Sequence, residues 1–226
     1  MGRDAVAAHR ASATTSSPVP GPWSKRPISR VPAPSYDPDV RASDDLQIQP
    51  VSPGQHDAVL HYFDLVAYAD NPNWARCYCM ERLVDDYDSR TKEQNRADRS
   101  RLLRSARANG LVAYRLGRIV GWCHAAPKSE LLDVEGARDN DVGAIVCFVV
   151  APDSRRQGIA SALLAAALDH LQGRGMRAVE AYPWAGEIDP SRWPWINYVG
   201  PLSMYQKAGF EIVSRHDDFW TVRRAF

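Results

Sequence analysis

The chain has 226 residues, 45% of them hydrophobic, enough for one core plus an appendage. Its 28 basic and 27 acidic residues leave a net charge of +1, without the basic excess of a nucleic-acid binder. The longest apolar run, about Ala144 to Ala151, is too short to span a membrane, and the first residues lack the apolar core of a secretion signal.

Residues 1–44 hold seven prolines among many Ser, Thr and Ala. Such a segment buries too little apolar surface to offset its ordering entropy, so a disordered tail is expected there. Residues 45–226 are expected to form one domain. "LQIQPV" alternates as a short strand. Ser52, Pro53 and Gln55 then match a helix start, with Ser as cap and Gln three residues on. Val59, Tyr62, Phe63, Val66 and Ala67 continue it at helical spacing. "ADNPNW" breaks that helix. Thr91 to Asn109 reads as a second, very polar helix with a narrow stripe of Leu102, Leu103 and Ala106. Two strands flank Leu116-Gly117, a hairpin turn. Residues 129–140 read as a polar loop. Val142 to Val150 is nearly all apolar, as in a central strand. A helix is predicted from Arg156 to Gln172, its apolar face running from Ala160 to Leu171. The strand "AVEAYPW", a Trp- and Pro-rich loop over 185–202, the short helix "SMYQKAG" and strands near 210–215 and 219–224 complete the order. No internal repeat is present.

One joint is unusual. "FVVAPDSRRQGIASALL" places Arg155 and Arg156 where a helix begins, beside unpaired N–H groups and a partial positive charge. An anion is needed there. In this order of elements, "FVVAPDSRRQGIA" resembles the acetyl-CoA-binding signature of the GNAT N-acetyltransferase superfamily, R/Q-x-x-G-x-G/A after a strand end. Arg155, Gly158 and Ala160 fill its places. "YQKAGF", residues 205–210, resembles a second family feature, Tyr-x-x-x-Gly-Phe. The resemblance covers about residues 46–226 and extends loosely to a bacterial branch without a defined substrate. It implies an α+β fold: a twisted mixed sheet of six or seven strands, helices on both faces, splayed between the fourth and fifth strands.

The resemblance also implies a site. The main chain of Phe148, Val149 and Val150 would pair with pantetheine amides, and one N–H there would polarise the thioester carbonyl. Arg155, Arg156, Gln157, Gly158, Ile159 and Ala160 would surround the phosphates of acetyl-CoA. Tyr205 sits where the family often places its general acid. For the base, Glu180 lies mid-strand, where apolar neighbours would raise its pKa; Asp189, Glu187, Glu81 and His124 are the alternatives. Four cysteines, Cys77, Cys79, Cys123 and Cys147, do not read as a disulfide framework in a chain this long. Read as a metal site with His124, they lack a C-x-x-C or H-x-x-x-H partner motif. A covalent acetyl-cysteine route and simple core packing are the other readings. Trp74, Tyr78, Trp193, Trp195 and Tyr198 are expected to overhang the acceptor cleft. The resulting expectation is a cytoplasmic, acetyl-CoA-dependent N-acetyltransferase, monomer or homodimer. It acts on a small-molecule primary amine by direct transfer and needs no metal, nucleic acid or membrane. A protein N-terminus or lysine as acceptor, and a non-catalytic CoA sensor, are the alternatives.

Overall fold

The computed structural model describes residues 46–105, 107–132, 140–184, 198–217 and 219–226. The tail expected over 1–44 lies outside them.

Seven strands form one mixed sheet: β1 (Gln47–Pro50), β2 (Gly110–Arg115), β3 (Arg118–Pro127), β4 (Val142–Val150), β5 (Ala178–Ala181), β6 (Glu211–Arg215) and β7 (Trp220–Ala225). Their spatial order is β1-β2-β3-β4-β5-β7-β6. Every pair is antiparallel except β4 and β5. That parallel pair needs a crossover, which α3 (Ile159–Gly173) provides. The strand count and mixed character agree with the expected GNAT fold.

The two faces carry different helices. Leu163, Leu164, Ala167 and Leu171 of α3 cover one, joined by Met204 and Tyr205 of the short helix α4 (Leu202–Lys207). On the other, α1 (His56–His61) and α2 (Lys92–Arg104) bring Val59, Leu60 and Leu103 against Val112, Trp122 and Val149. Gly121 of β3 sets the α3 spacing. A Cβ there would sit 3.0 Å from both Ile159 Cγ2 and Leu163 Cδ1, so glycine permits the close approach.

Local signals explain the helix starts. Gln55 Oε1 accepts from the Ser52 N–H at 2.7 Å. Gln94 Oε1 accepts from the Thr91 N–H at 2.8 Å, and Thr91 Oγ1 accepts from the Gln94 N–H at 3.3 Å. Two expected helices end differently. α1 passes into a wider π-helical turn over Tyr62–Val66, which buries Tyr62 and Phe63 side by side. α2 stops at Arg104 rather than Asn109. The Ala108 carbonyl is taken by the buried Arg99 guanidinium at 3.0 Å, and Asn109 turns to φ +44°.

The sheet opens where expected. β4 is nine residues long, but β5 pairs only with Val142–Ile145. At the same point β4 bulges: His124 faces Cys147 and Ala125 faces Ile145, which leaves Val146 unmatched. Beyond Val146, that edge of β4 has no strand partner among the described residues. Nor is any described helix long and apolar enough to cross a membrane.

Candidate active site

β4 leads through a 3-10 turn, Pro152–Ser154, into the loop before α3. Arg156 has φ +61° and Gly158 φ +79°. Neither fits an α-helix, so α3 begins at Ile159, three residues later than its sequence predicts. The first bond of the ladder runs from the Ala162 N–H to the Gly158 carbonyl, 3.0 Å. The N–H groups of Ile159, Ala160 and Ser161 precede it, at the positive end of a fifteen-residue helix. A Cβ on Gly158 would meet nothing within 4 Å. Glycine is required there by backbone angle, and the space in front of it is open.

That space belongs to a cavity of about 640 Å³. Phe148 and Val150 from the unpaired end of β4 line it, as do Arg155, Arg156, Gly158, Ile159 and Ala160. The side chains of two residues expected to contribute there point elsewhere. Val149 alternates onto the opposite face of the sheet, packs with the α1 cluster, and its carbonyl accepts the Tyr62 hydroxyl at 2.8 Å. The Gln157 side chain is held outside between the Arg115 guanidinium and the Asp153 carbonyl. The remaining walls include Asp70, Asn71, Ser161, Tyr198 and Met204. Asp70 and Asn71 sit in the "ADNPNW" stretch, which by sequence marks only a helix end.

Arg155 is not free to meet an anion. Its Nη1 and Nη2 donate to Asp70 at 2.5 and 3.0 Å, and its Nε donates to the Val150 carbonyl at 3.1 Å. The hydrogen bond from Arg155 holds the Asp70 carboxyl below its ordinary range. Arg156 is exposed beside it and carries the strained backbone.

The two expected catalytic side chains lie off the cavity wall. Tyr205 is fully buried behind Phe148, ring centroids 6.4 Å apart, and its hydroxyl donates to the Val199 carbonyl at 2.6 Å. Burial pushes its pKa well up, so the phenol keeps its proton. Glu180 was expected among apolar neighbours, and the structure corrects this. Its Oε2 accepts from Lys128 Nζ at 2.5 Å and from the Tyr182 hydroxyl at 3.1 Å; its Oε1 accepts from Arg223 at 3.4 Å. Glu180 and Tyr182 do share a face, as alternation requires, but the surroundings are ionic.

Of the alternatives for the base, Asp189 and Glu187 lie outside the described residues. Glu81 is exposed at the surface, its carboxyl raised by partial desolvation and by the nearby Cys79. His124 is fully buried, 3.7 Å from Cys79 Sγ. All four cysteines are free thiols. Among the described residues, no three His, Cys, Asp or Glu side chains are arranged to hold a metal ion.

Of the expected aromatic overhang, Tyr198 lines the cavity, 5.6 Å from the rings of both Trp74 and Tyr68. Tyr78 is instead a core residue whose hydroxyl donates to Asp64 at 2.5 Å. Trp193 and Trp195 lie outside the described residues.

Residues 73–187 match the family model described as the acetyltransferase (GNAT) family. Over 80 residues, 34% of this chain, the sequence is 40% identical to a mycothiol acetyltransferase of Cellulomonas flavigena. That match covers 22% of the relative, so the chain spans about a fifth of that curated protein. Two solved structures are also similar. The PaiA N-acetyltransferase of Thermoplasma acidophilum, in complex with coenzyme A, has a TM-score of 0.49 at 12% identity, covering 80% of this chain and 99% of that one. A GNAT-family acetyltransferase from Streptococcus pneumoniae has a TM-score of 0.47 at 16% identity, covering 80% and 100%.

Proposed function

This chain belongs to the GNAT acetyltransferase family, and on that premise we propose that it moves an acetyl group from acetyl-CoA to a primary amine by direct attack in a ternary complex. The domain that does so spans residues 45–226. One observation carries the proposal. The N–H groups that open α3, the left-handed turn at Arg156 and Gly158, and the end of β4 that has no strand partner meet in one cavity.

The residues present suit the cosubstrate. Amides at Ile159, Ala160 and Ser161 bind a diphosphate, which reaches them past a residue without a Cβ. Arg156 adds charge from the rim. Arg155 adds its own only by leaving Asp70. The unpaired edge of β4 from Val146 to Val150 takes the pantetheine amides as a sheet takes another strand. An N–H in that stretch stabilises negative charge developing on the thioester oxygen, a term of roughly 3–4 kcal/mol in other enzymes. Acetyl-CoA supplies the activated acyl group and a thiolate leaving group. Tyr205 returns a proton to that thiolate by turning its hydroxyl from Val199. Glu180 takes the amine's proton through Oε1, the oxygen with the longer contact.

The Tyr198–Trp74–Tyr68 wall favours an acceptor with an apolar or aromatic part. The relative's name points the same way, toward a small molecule. One observation favours a second reading. The Tyr205 hydroxyl and the Glu180 carboxylate are both committed to protein partners, as a CoA-binding module without turnover would allow. Calorimetry with CoA, followed by a thiol-release assay across an amine panel, separates the two. Binding with release supports the transferase; binding without release supports the module; no binding rejects both.

A further inference from the structure

Cys77-x-Cys79 is the motif that acetyl transfer leaves unused. Cys79 Sγ lies 3.7 Å from His124 Nδ1. His124 stands opposite Cys147 in the β3–β4 ladder, so their side chains are neighbours on one face. Cys79 and Cys147 pack in the same cluster, together with Trp122.

The surroundings are arranged for charge on sulfur. Arg99 is fully buried, and its guanidinium donates to the carbonyls of Tyr78 (2.8 Å), Cys79 (2.7 Å) and Ala108 (3.0 Å). No carboxylate among the described residues pairs with it, yet a buried cation calls for a counter-charge. Among the described residues, none hydrogen-bonds the buried His124 Nε2. Tyr78 and Cys79 are consecutive non-glycine residues at φ +46° and +56°. Such angles persist only where the surroundings impose them, and Arg99 grips both carbonyls. Burial opposes ionisation of Cys79. The neighbouring Cys147 thiol and the charges of His124 and Arg99 outweigh it, holding the Cys79 thiol well below its usual range. Cys79 beside it, with burial, pushes Cys147 up.

We propose that Cys79 and Cys147 are an oxidisable dithiol, with Cys79 as the attacking sulfur, Cys147 as the resolving one, and a small hydroperoxide as the oxidant. Cys147 is only half-buried, where the sheet opens beyond Val146, and that opening is the way in. Cys79 attacks a peroxide oxygen: the S–O bond forms, the O–O bond breaks, and the leaving oxygen takes the proton that Cys79 gave up to His124. The Cys147 sulfur then attacks the sulfenic sulfur: the S–S bond forms, the S–O bond breaks, and water leaves with the Cys147 proton. Two thiols and one hydroperoxide give one disulfide, one water and one alcohol, or a second water from hydrogen peroxide. The other thiols are excluded. Cys77 is pushed up to about 11, chiefly by burial, and Cys123 packs in the core on the α3 side of the sheet. The bond fixes β4 one residue before Phe148, a wall of the cavity.

The test is treatment of the wild-type protein with hydrogen peroxide, alkylation of remaining thiols, and peptide mass spectrometry. The expected product is a Cys79–Cys147 crosslink, lighter by two hydrogens and reversed by dithiothreitol. Cys147→Ser should stop at a dimedone-reactive sulfenic acid on Cys79, and Cys123→Ala should still crosslink. His124→Gln should slow the reaction about tenfold at pH 7 by lowering the thiolate fraction. A crosslink to Cys77, thiols that all stay alkylatable, or wild-type oxidation of Cys147 in Cys79→Ser would each overturn the proposal. The wild-type mapping does not depend on a variant folding, and none of these readouts depends on acetyl transfer.

Discussion

Asp70→Asn tests whether the phosphates and Asp70 compete for Arg155. The pair is bidentate, at 2.5 and 3.0 Å, but its side chains are 40% and 45% exposed. An ion pair so open to water is worth at most about 1 kcal/mol, even with good geometry. Asparagine keeps the shape and removes the charge. Stability should therefore fall by roughly 0.5–1 kcal/mol. The freed guanidinium becomes available to the diphosphate, and a gain of about 1 kcal/mol corresponds to roughly fivefold tighter CoA binding. Calorimetric titration at two salt concentrations measures this, and the gain should shrink as salt screens the charges. Mild acid should not reproduce it. The Asp70 pKa is depressed, so the pair's contribution is present above the unfolded value of about 3.9. It is lost only as pH falls through the lower folded value. Equal or weaker CoA binding by Asp70→Asn would refute the competition and make Arg155 a strut between β4 and the segment after α1.

Three further substitutions probe the site. Gly158→Glu should abolish CoA binding yet leave a folded protein, since its Cβ meets open space and the φ of +79° costs about 1–2 kcal/mol; circular dichroism and titration check both halves. Tyr205→Phe should lower turnover more than CoA affinity, with about 1 kcal/mol of stability lost because the half-buried Val199 carbonyl loses its donor; unchanged turnover in a thiol-release assay would remove its acid role. Glu180→Gln should destabilise by about 3–5 kcal/mol in urea, because Lys128, with a side chain only 6% exposed, loses its anionic partner. Adding Lys128→Met to that variant should recover much of the loss, and a double variant no more stable than the single would contradict the ionic account.

The order of strands and helices, the hairpin at Leu116-Gly117 and the glycine-bearing joint before α3 were legible in the sequence. Apolar periodicity, cap residues and glycines act over a few neighbouring positions, and these features need nothing more. The start of α3 was misplaced because the left-handed turn at Arg156 is not a propensity of arginine; the surrounding fold imposes it. The side-chain partners were beyond local pattern altogether. Glu180 meets Lys128 52 residues away, and Arg155 meets Asp70 85 residues away. Arg99, in a helix that reads as very polar with a narrow apolar stripe, turns inward to hold a strained segment twenty residues earlier. Short-range patterning decided which segments are strand or helix and where a glycine opens the start of α3. Only the packed sheet, by bringing distant charges into a low-dielectric interior where each must find a partner, decided which side chains are free to react.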